Sequence, residues 1–362
     1  MDLTPQTKKM KQTIAALALL LAAEGQAQTQ ISTYQPGVTV EGVTYFLPQT
    51  ALRVTVKAEK TVTRPGRLYK YAFRYLRMNN VPTEEATRWE LKGISVEPYG
   101  VADKTKAYSI KLKSKTVAPL VSLTHDGVLL SINASQEETT PGTKPADVPA
   151  PERVSPARYM SQDILAAGST AKQAELCAQE IYDLRESRKD LVSGQADNTP
   201  KDGQQLQLML NQLDEQAAAL ESLFTGWTET STHYFTFDVL PAKTDSREVL
   251  FRFSTVEGPV AADDVMGTPV YLSLKSLDAL PDRTPNADSD KKKQKMQQGV
   301  WYNVPARQHL TISDLGHTYA EMDVAMGQFG YTEVLANILF DKKTTTKAFF
   351  HQMNGGLKKL EQ

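Results

Sequence analysis

The sequence has a single cysteine, Cys177, among its 362 residues, and this scarcity excludes two common sources of stability. An internal disulfide needs two thiols, and a zinc site built on thiolates needs several. The sequence also lacks a large excess of positive or negative charge, since the formal net charge is −1. The protein therefore has no overall electrostatic field that attracts nucleic acid or anionic lipid, and we expect no nucleic-acid partner. Hydrophobic residues make up 40% of the chain, which is enough for a large buried core.

Long apolar runs are absent too, apart from one short run near the N-terminus. The run 14–23 ends shortly before Ala27, and the positive charges before it come from Lys8, Lys9 and Lys11. A positive region, an apolar stretch of about ten residues and small residues at the cleavage point are typical of a secretory signal peptide. The run is shorter than the roughly 20 residues that cross a bilayer. We therefore predict a signal peptide over residues 1–27 and no membrane-spanning segment after its removal.

The predicted signal bears on the start and the compartment of the protein. Residues 1–9 resemble an upstream extension, so Met10 is an alternative start to Met1. No cysteine stands at the predicted cleavage point, which excludes a lipid anchor on cysteine. We expect an exported protein that is not a lipoprotein.

Most of the remaining chain alternates apolar and polar residues, as half-buried strands do. Between residues 39 and 62 this period of two is carried by Val43, Tyr45, Leu47, Leu52, Val54, Val56 and Ala58. Spacings of three and four then predict one short helix over about residues 65–77. Asp126-Gly127 and Asn354-Gly355 predict hairpin turns, the first of type I′, in which both central residues have positive φ. The pattern favours an α+β class with mostly antiparallel strands.

Two long amphipathic segments interrupt these strands. Seam positions spaced by threes and fours run along residues 170–193 and 203–225, and they average 3.5 residues per turn. One antiparallel register pairs every seam position, including Arg188, which we expect to extend its aliphatic stem toward water. Capping boxes at Thr170 and Asp202, and left-handed caps at Gly194 and Gly226, mark the predicted helix ends. The pattern predicts an antiparallel helical hairpin, either as reinforcement of the body or as an arm for a partner.

These segments suggest a division of the mature chain. Five prolines interrupt the pattern after residue 136 and predict an extended surface linker. Residues 281–298 are charged and polar and contain a lysine-rich run at 291–295. This stretch predicts a solvated loop, with a basic docking patch as the alternative. The predicted parts are an N-terminal β-rich domain with one short helix (34–135), a Pro-rich linker (136–158), the helical hairpin (159–226) and a C-terminal β-rich domain (227–362) with a polar loop at 281–298.

Residue types that carry chemistry are present without a recognisable spacing. His309, His317 and Glu321 form the only histidine cluster that invites a metal hypothesis, and their spacing matches no zinc pattern. His125 is explained by its tight turn. Asp263 and Asp264 could be paired carboxylates, but they lie in a loop. The sequence therefore predicts no catalytic, cofactor-binding or metal-binding residues and no cofactor, and it inclines against an enzyme.

Two further residue types have a structural and a functional interpretation. Cys177 falls on the buried seam of the first helix, where a thiol has a raised pKa and reacts poorly. The tryptophans could line a sugar site, but each occupies a strand or a strand boundary, where core packing is commoner. These residues are Trp89, Trp227 and Trp301.

Several short pieces of the chain together resemble an uncharacterised family of exported proteins, domain of unknown function 4831, found largely in Bacteroidetes. The pieces are residues 165–169, 178–182, 185–188, 223–226, 252–254, 267–270 and 328–330. The resemblance covers about residues 34–361. It implies a Gram-negative origin, and hence a periplasmic or outer-surface location. It implies no activity and assigns no residue a catalytic role.

The preferred hypothesis is an exported envelope protein without enzymatic activity that binds or braces a partner, such as another envelope protein, through the hairpin. A second hypothesis is a hydrolase or glycan-binding module with a site assembled from distant loops, which a sequence by itself does not reveal. A concave pocket that gathers carboxylates or exposed aromatics would favour the second. A third is an assembly subunit that adds strands at an exposed sheet edge.

Overall fold

Three antiparallel sheets and one pair of long helices form the fold in the computed structural model. The structure describes residues 27–33, 43–114, 121–197, 200, 202–279, 299–340 and 346–362. The α+β class and the β-rich body are confirmed. The predicted signal peptide, except for Ala27, and the predicted polar loop at 281–298 lie outside the described residues.

The first sheet is built on two long strands with alternating side chains. β2 (Val43–Arg64) pairs antiparallel with β3 (Ala86–Ser114) along almost its whole length. β1 (Ala27–Thr33) adds to β3, and β6 (Trp227–Val239) adds to β2, which gives the order β1-β3-β2-β6. The period of two places every second residue of β2 on the buried face. The core residues on that face include Leu52, Val54, Val56 and Ala58.

The second sheet covers part of this face. Its order is β11-β10-β9-β7-β8, and each neighbouring pair is antiparallel. The strands are β7 (Ser246–Ser254), β8 (Gly258–Val260), β9 (Thr268–Ser276), β10 (Gly299–Ser313) and β11 (Thr318–Ala336). Phe251, Leu272 and Leu310 lie in one buried cluster with Val54 of β2. The two sheets therefore form a sandwich with a shared apolar core.

The third sheet joins distant parts of the chain. Its order is β13-β12-β5-β4, with strands β4 (Val121–Leu123), β5 (Leu129–Ile132), β12 (Lys347–Phe350) and β13 (Leu357–Glu361). Ala348 of β12 lies opposite Ile132 of β5. In the same way, β6 pairs with β2 in the first sheet. Strands from the segments 34–135 and 227–362 thus share two of the three sheets.

The helical pair lies where the seams predict it. α1 (Ala72–Leu76) and α2 (Gln162–Leu165) are short, whereas α3 (Thr170–Ser193) and α4 (Gly203–Thr225) are long. Both long helices contribute to one buried cluster that also includes α1 and α2, and its members include Leu68, Ile164, Cys177, Ile181, Leu184, Leu220 and Phe224. The lower half of the hairpin thus shares an apolar core with the short helices and Leu68, and the clusters between the sheets are separate from it. None of the described helices has the length and apolar character needed to cross a membrane.

Local details of the helix ends differ from the prediction. The cap of α3 is Ser169, whose side chain accepts the Lys172 N–H, because Thr170 is already helical. Gly194 is the left-handed C-cap predicted, with φ 71° and ψ 20°. Gly226 has φ 71° but ψ −163°, an extended conformation that only glycine adopts easily, because the chain there turns directly into β6.

Arg188, the polar residue of the seam, and the first hairpin turn also differ from the prediction. Arg188 is exposed and its Nε lies 2.6 Å from Asp214 Oδ1, so an ion pair across the hairpin replaces the expected extension along the seam.

In the turn before β5, Gly127 has φ 88°, whereas Asp126 keeps a negative φ. The turn is therefore not of type I′. Thr124 accepts the Gly127 N–H and exchanges a further hydrogen bond with Val128, which makes a three-residue loop with glycine in the left-handed position.

Candidate functional site

A chain of hydrogen bonds joins three side chains at the outer edge of β6. The Oγ of Ser231 lies 2.8 Å from Nε2 of His233, and Nδ1 of the same ring lies 3.2 Å from Oδ2 of Asp147. Ser231 and His233 are two residues apart in a strand, so their side chains share one face of the sheet. The order hydroxyl, imidazole, carboxylate is the connectivity of a Ser-His-Asp triad. We call these residues the β6 relay.

Asp147 reaches the relay because the 136–158 segment lies along β6. Val148 and Thr232 exchange two backbone hydrogen bonds of 2.9 Å, which add a short bridge to this edge strand. The second oxygen of Asp147, Oδ1, accepts the Tyr234 N–H at 2.9 Å. This backbone donor lowers the pKa of Asp147, and His233 and Lys144 lower it further. The carboxylate is therefore ionised at neutral pH and can only accept hydrogen bonds.

The sheet register places a cation and an indole beside the relay. Lys60 of β2 lies directly opposite Ser231, and Trp89 of β3 lies directly opposite Lys60. Directly opposed side chains have Cβ atoms about 5 Å apart. The centroids of the Trp89 and His233 rings are 5.1 Å apart. The Nζ of Lys60 lies 5.7 Å from the centroid of the Trp89 ring. These half-buried side chains form a shelf at the end of the sandwich.

An apolar cavity lies next along β6, where its lining begins at Tyr234, the residue after His233. It has a volume of about 580 Å³ and lies between β6 and β8. Phe235 and Phe237 share the sheet face of His233, because they follow it at intervals of two residues. They line the cavity with residues of the second sheet, including Leu250, Phe251, Pro259 and Val260, and Lys144 completes the rim. The site thus combines a polar relay with an adjoining apolar space.

A second concave region lies at the tip of the helical hairpin. Its volume is about 650 Å³, and its lining includes Leu191, Met209 and Leu213 together with Asp190 and Asp197. The lower hairpin contrasts with this tip, since the buried residues of α4 all lie in its last seven positions: Ala219, Leu220, Leu223 and Phe224. The outer part of α4 therefore carries leucines and a methionine that the body does not cover.

The structure brings together only part of the histidine cluster considered for a metal. The Nε2 of His309 lies 3.0 Å from Glu321, and its Nδ1 lies 2.8 Å from Asp323. His317 lies in the turn beyond the strands, about four residues or 13 Å along β10 from His309, and its ring makes an edge-to-face contact with Tyr319 instead. Both ring nitrogens of His309 face carboxylates. The hydrogen bond that His309 donates to Asp323, followed by the charge of Glu321, raises the pKa of His309. This geometry suits an imidazolium with two donors.

His125 also contacts a carboxylate, that of Glu138. Its Nδ1 lies 2.6 Å from Glu138 Oε1, and its backbone N–H donates to Glu138 Oε2 at 2.9 Å. The candidate ligand atoms of His125, Asp126 and Glu138 lie within 4.8 Å of one another, so these three could hold a metal ion by distance. Both oxygens of Glu138 already accept hydrogen bonds from His125, which fastens the start of the 136–158 segment to the turn before β5.

The other residues singled out in the sequence have structural partners. Cys177 is fully buried, and burial raises the pKa of its thiol to about 11. Asp264 accepts the Met266 N–H in a loop turn. The face of each indole is covered: Arg153 lies 3.9 Å over Trp227, Tyr108 stacks on Trp301, and Gly258 lies against Trp89.

One of the short motifs that carry the resemblance, residues 328–330, stabilises the fold. The motif 328–330 lies in a bulge of β11, where the pairing with β10 jumps from Tyr331 to Met326. Gln328 reaches across to β2, accepting the Thr50 N–H at 2.8 Å and donating to the Thr50 carbonyl at 2.9 Å. A Cβ on Gly330 would lie 1.9 Å from the Val304 carbonyl oxygen, so only glycine fits there. The motif therefore fastens the two sheets of the sandwich.

Sequence reasoning missed the β6 relay. The pattern Ser231-Thr232-His233 in an alternating strand was a usable signal, because it places hydroxyl and imidazole on one face. Asp147 gave no such signal, since it lies 86 residues from His233 in a segment without periodicity. Separations of 86 and 87 residues, as between Asp147 and its partners His233 and Tyr234, are typical of sites that only the fold assembles.

Comparison with known proteins places this fold in a family. No curated protein and no solved structure matches the chain. The family model described as "Domain of unknown function (DUF4831)" matches residues 41–358, which is most of the sequence. The match includes the strands of all three sheets except β1 and most of β13, and it includes both long helices and the β6 relay. The chain therefore belongs to the family of domain of unknown function 4831.

Proposed function

We propose that this chain is an exported envelope protein that binds a partner protein through the outer part of its helical hairpin. Export is supported by the lysines and the short apolar run before Ala27. Binding is supported by the uncovered apolar side chains at the hairpin tip. The periplasm and the outer surface are both compatible with this role.

The observation that carries the proposal is the exposure of large apolar side chains on the outer turns of both helices. Val192 near the end of α3 is 61% exposed, and Leu208 and Met209 near the start of α4 are 68% and 37% exposed. Single exposed leucines are common, but several large apolar side chains exposed on neighbouring turns, of which Met209 also lines a concave region, are typical of an interaction surface. Removing a leucine side chain from water stabilises a complex by about 1.5–3 kcal/mol.

The chemistry of the tip indicates what kind of partner fits. Leu191, Met209 and Leu213 give the concave region an apolar lining, and Asp190 and Asp197 add two carboxylates to it. A protein segment that presents an apolar side chain next to a lysine or arginine is complementary in both respects. Such a segment would lie against the helices as in helix-in-groove recognition.

In-cell crosslinking tests the binding surface. A photoreactive residue is placed at position 208, and a matched control residue is placed at Glu175, which is similarly exposed but lies at the base of the hairpin. We expect one protein to be captured from position 208 and not from position 175. The same products from both positions would contradict the proposal.

Affinity measurements with the purified captured protein complete the test. The double variant Leu208→Asp, Met209→Asp should weaken its binding at least tenfold, because it places charge in the proposed interface. The control Gln207→Asp adds charge to the same helix at an exposed position and should change affinity little. Equal affinities for the wild type and the double variant would refute the proposal.

Export is tested separately by determining the N-terminus of the protein recovered from the cell envelope. The proposal expects a chain that begins close to residue 28. A chain that retains residues 14–23 in the cytoplasmic fraction would contradict it.

A further inference from the structure

The β6 relay contains the three roles that acyl transfer by a serine requires. These roles are a nucleophile, a base within hydrogen-bond reach of it, and a group that orients the base. Ser231, His233 and Asp147 meet these distance requirements at 2.8 Å and 3.2 Å. Because Asp147 can only accept, Nδ1 of His233 carries the ring proton, and Nε2 is left to accept the Ser231 proton.

We propose that Ser231 is the nucleophile of an esterase site for carboxylic esters with an apolar acyl group. Ser231 Oγ bonds to the ester carbonyl carbon as His233 Nε2 takes its proton. The C–O bond to the alcohol then breaks, and His233 returns the proton to the leaving alcohol. Water, activated by the same nitrogen, attacks the acyl-serine, releases the carboxylic acid and restores the hydroxyl.

The surroundings of the relay fit this substrate class. Negative charge develops on the carbonyl oxygen, and Lys60, directly opposite Ser231, is the cation placed to stabilise it. The cavity of about 580 Å³ is lined by Tyr234, the strand neighbour of His233, and offers Phe235, Phe237 and Val260 to an acyl chain. The site is independent of the hairpin tip, so it adds an activity to the proposed binding role.

A purely structural role for the relay predicts a different outcome. Asp147 fastens the 136–158 segment through the Tyr234 N–H, and Val148 adds two backbone bonds to the same strand. This attachment needs neither the Ser231 hydroxyl nor its contact with His233. Removal of that hydroxyl should therefore leave the fold unchanged and abolish only chemistry.

Covalent labelling of the purified chain with an alkyl fluorophosphonate tests the nucleophile. We expect one adduct by intact mass, on the peptide that contains Ser231, and none in Ser231→Ala. The control Thr230→Ala changes the neighbouring residue, whose side chain contacts Thr61 on the opposite face, and should be labelled as the wild type is. Absence of labelling in the wild type, or labelling at another serine, overturns the proposal.

Steady-state hydrolysis tests the other roles. The wild type should hydrolyse p-nitrophenyl butyrate faster than the acetate, because the butyryl chain occupies the cavity. Asp147→Asn should lower kcat by a factor on the order of 10³ or more with KM little changed, and Asp147→Glu should restore part of it. Equal kcat in the wild type, Ser231→Ala and Asp147→Asn refutes the proposal. Gln207→Asp, at an exposed position of α4, should keep full activity. Labelling and hydrolysis need no partner protein, so their failure is distinct from failure of the binding surface.

Discussion

Replacing Phe224 tests whether the hairpin and the sheets fold as one cooperative unit. Phe224 is fully buried near the end of α4, in the cluster that joins both long helices to Leu68 and Ile164. Phe224→Ala removes the ring and leaves a cavity, which costs about 3–5 kcal/mol in well-packed cores. That is a large fraction of the roughly 5–15 kcal/mol by which whole domains are stable.

Urea denaturation with two probes measures the effect. Circular dichroism at 222 nm follows the helices, and fluorescence follows the three tryptophans Trp89, Trp227 and Trp301, which all lie in strands. If the cluster couples hairpin and sheets, Phe224→Ala shifts both transitions to lower urea by the same amount. The control Leu208→Ala alters the exposed part of the same helix and should change stability by less than about 0.5 kcal/mol. A shift confined to the circular dichroism signal, or no larger than the control's, would refute this reasoning.

Three further outcomes follow from other sites. Because burial raises the pKa of the Cys177 thiol to about 11, a disulfide reagent at pH 8 should modify it only after denaturation, which absorbance of the released thiolate measures. Asp323 raises the folded pKa of His309, so its stabilising contribution is complete below the ordinary histidine pKa and disappears as pH rises through the raised value. The stability difference between the wild type and His309→Gln should therefore shrink from pH 6 to pH 9 in urea titrations, and a constant difference would contradict this. Gly226→Ala should cost more than about 1–3 kcal/mol, since its φ is 71° and a Cβ would lie 2.1 Å from the Arg64 carbonyl oxygen; a melting temperature unchanged from the wild type would oppose it.

The helices were predictable because their information is local. Seam spacing predicted where α3 and α4 lie, and the cluster of Cys177, Ile181 and Leu184 with Leu220 confirms the lower part of the predicted register. The outer rungs behave differently. Leu206 and Leu210 are only half-buried, because the body does not extend to the tip.

Turn types and caps were less predictable. Asp126-Gly127 indicated a hairpin turn correctly, but the two-residue type was wrong because Thr124 uses its side chain and backbone to close a longer loop. Likewise Ser169 and Thr170 are both good caps, and the sequence does not distinguish them. The difference between such alternatives is a single hydrogen bond, about 1 kcal/mol, which tertiary contacts easily outweigh.

By itself, the sequence determined the alternating strands, the two long helices and the α+β class, because periodicity records which face of each element is buried. Only the tertiary structure decided which strands share a sheet, since β2 takes β6 as a neighbour, and β5 takes β12, across hundreds of residues of chain. The same long-range pairing brings Asp147 to His233 and Lys60 to Ser231. Such neighbours depend on the register between distant strands, and no local pattern of residues encodes that register.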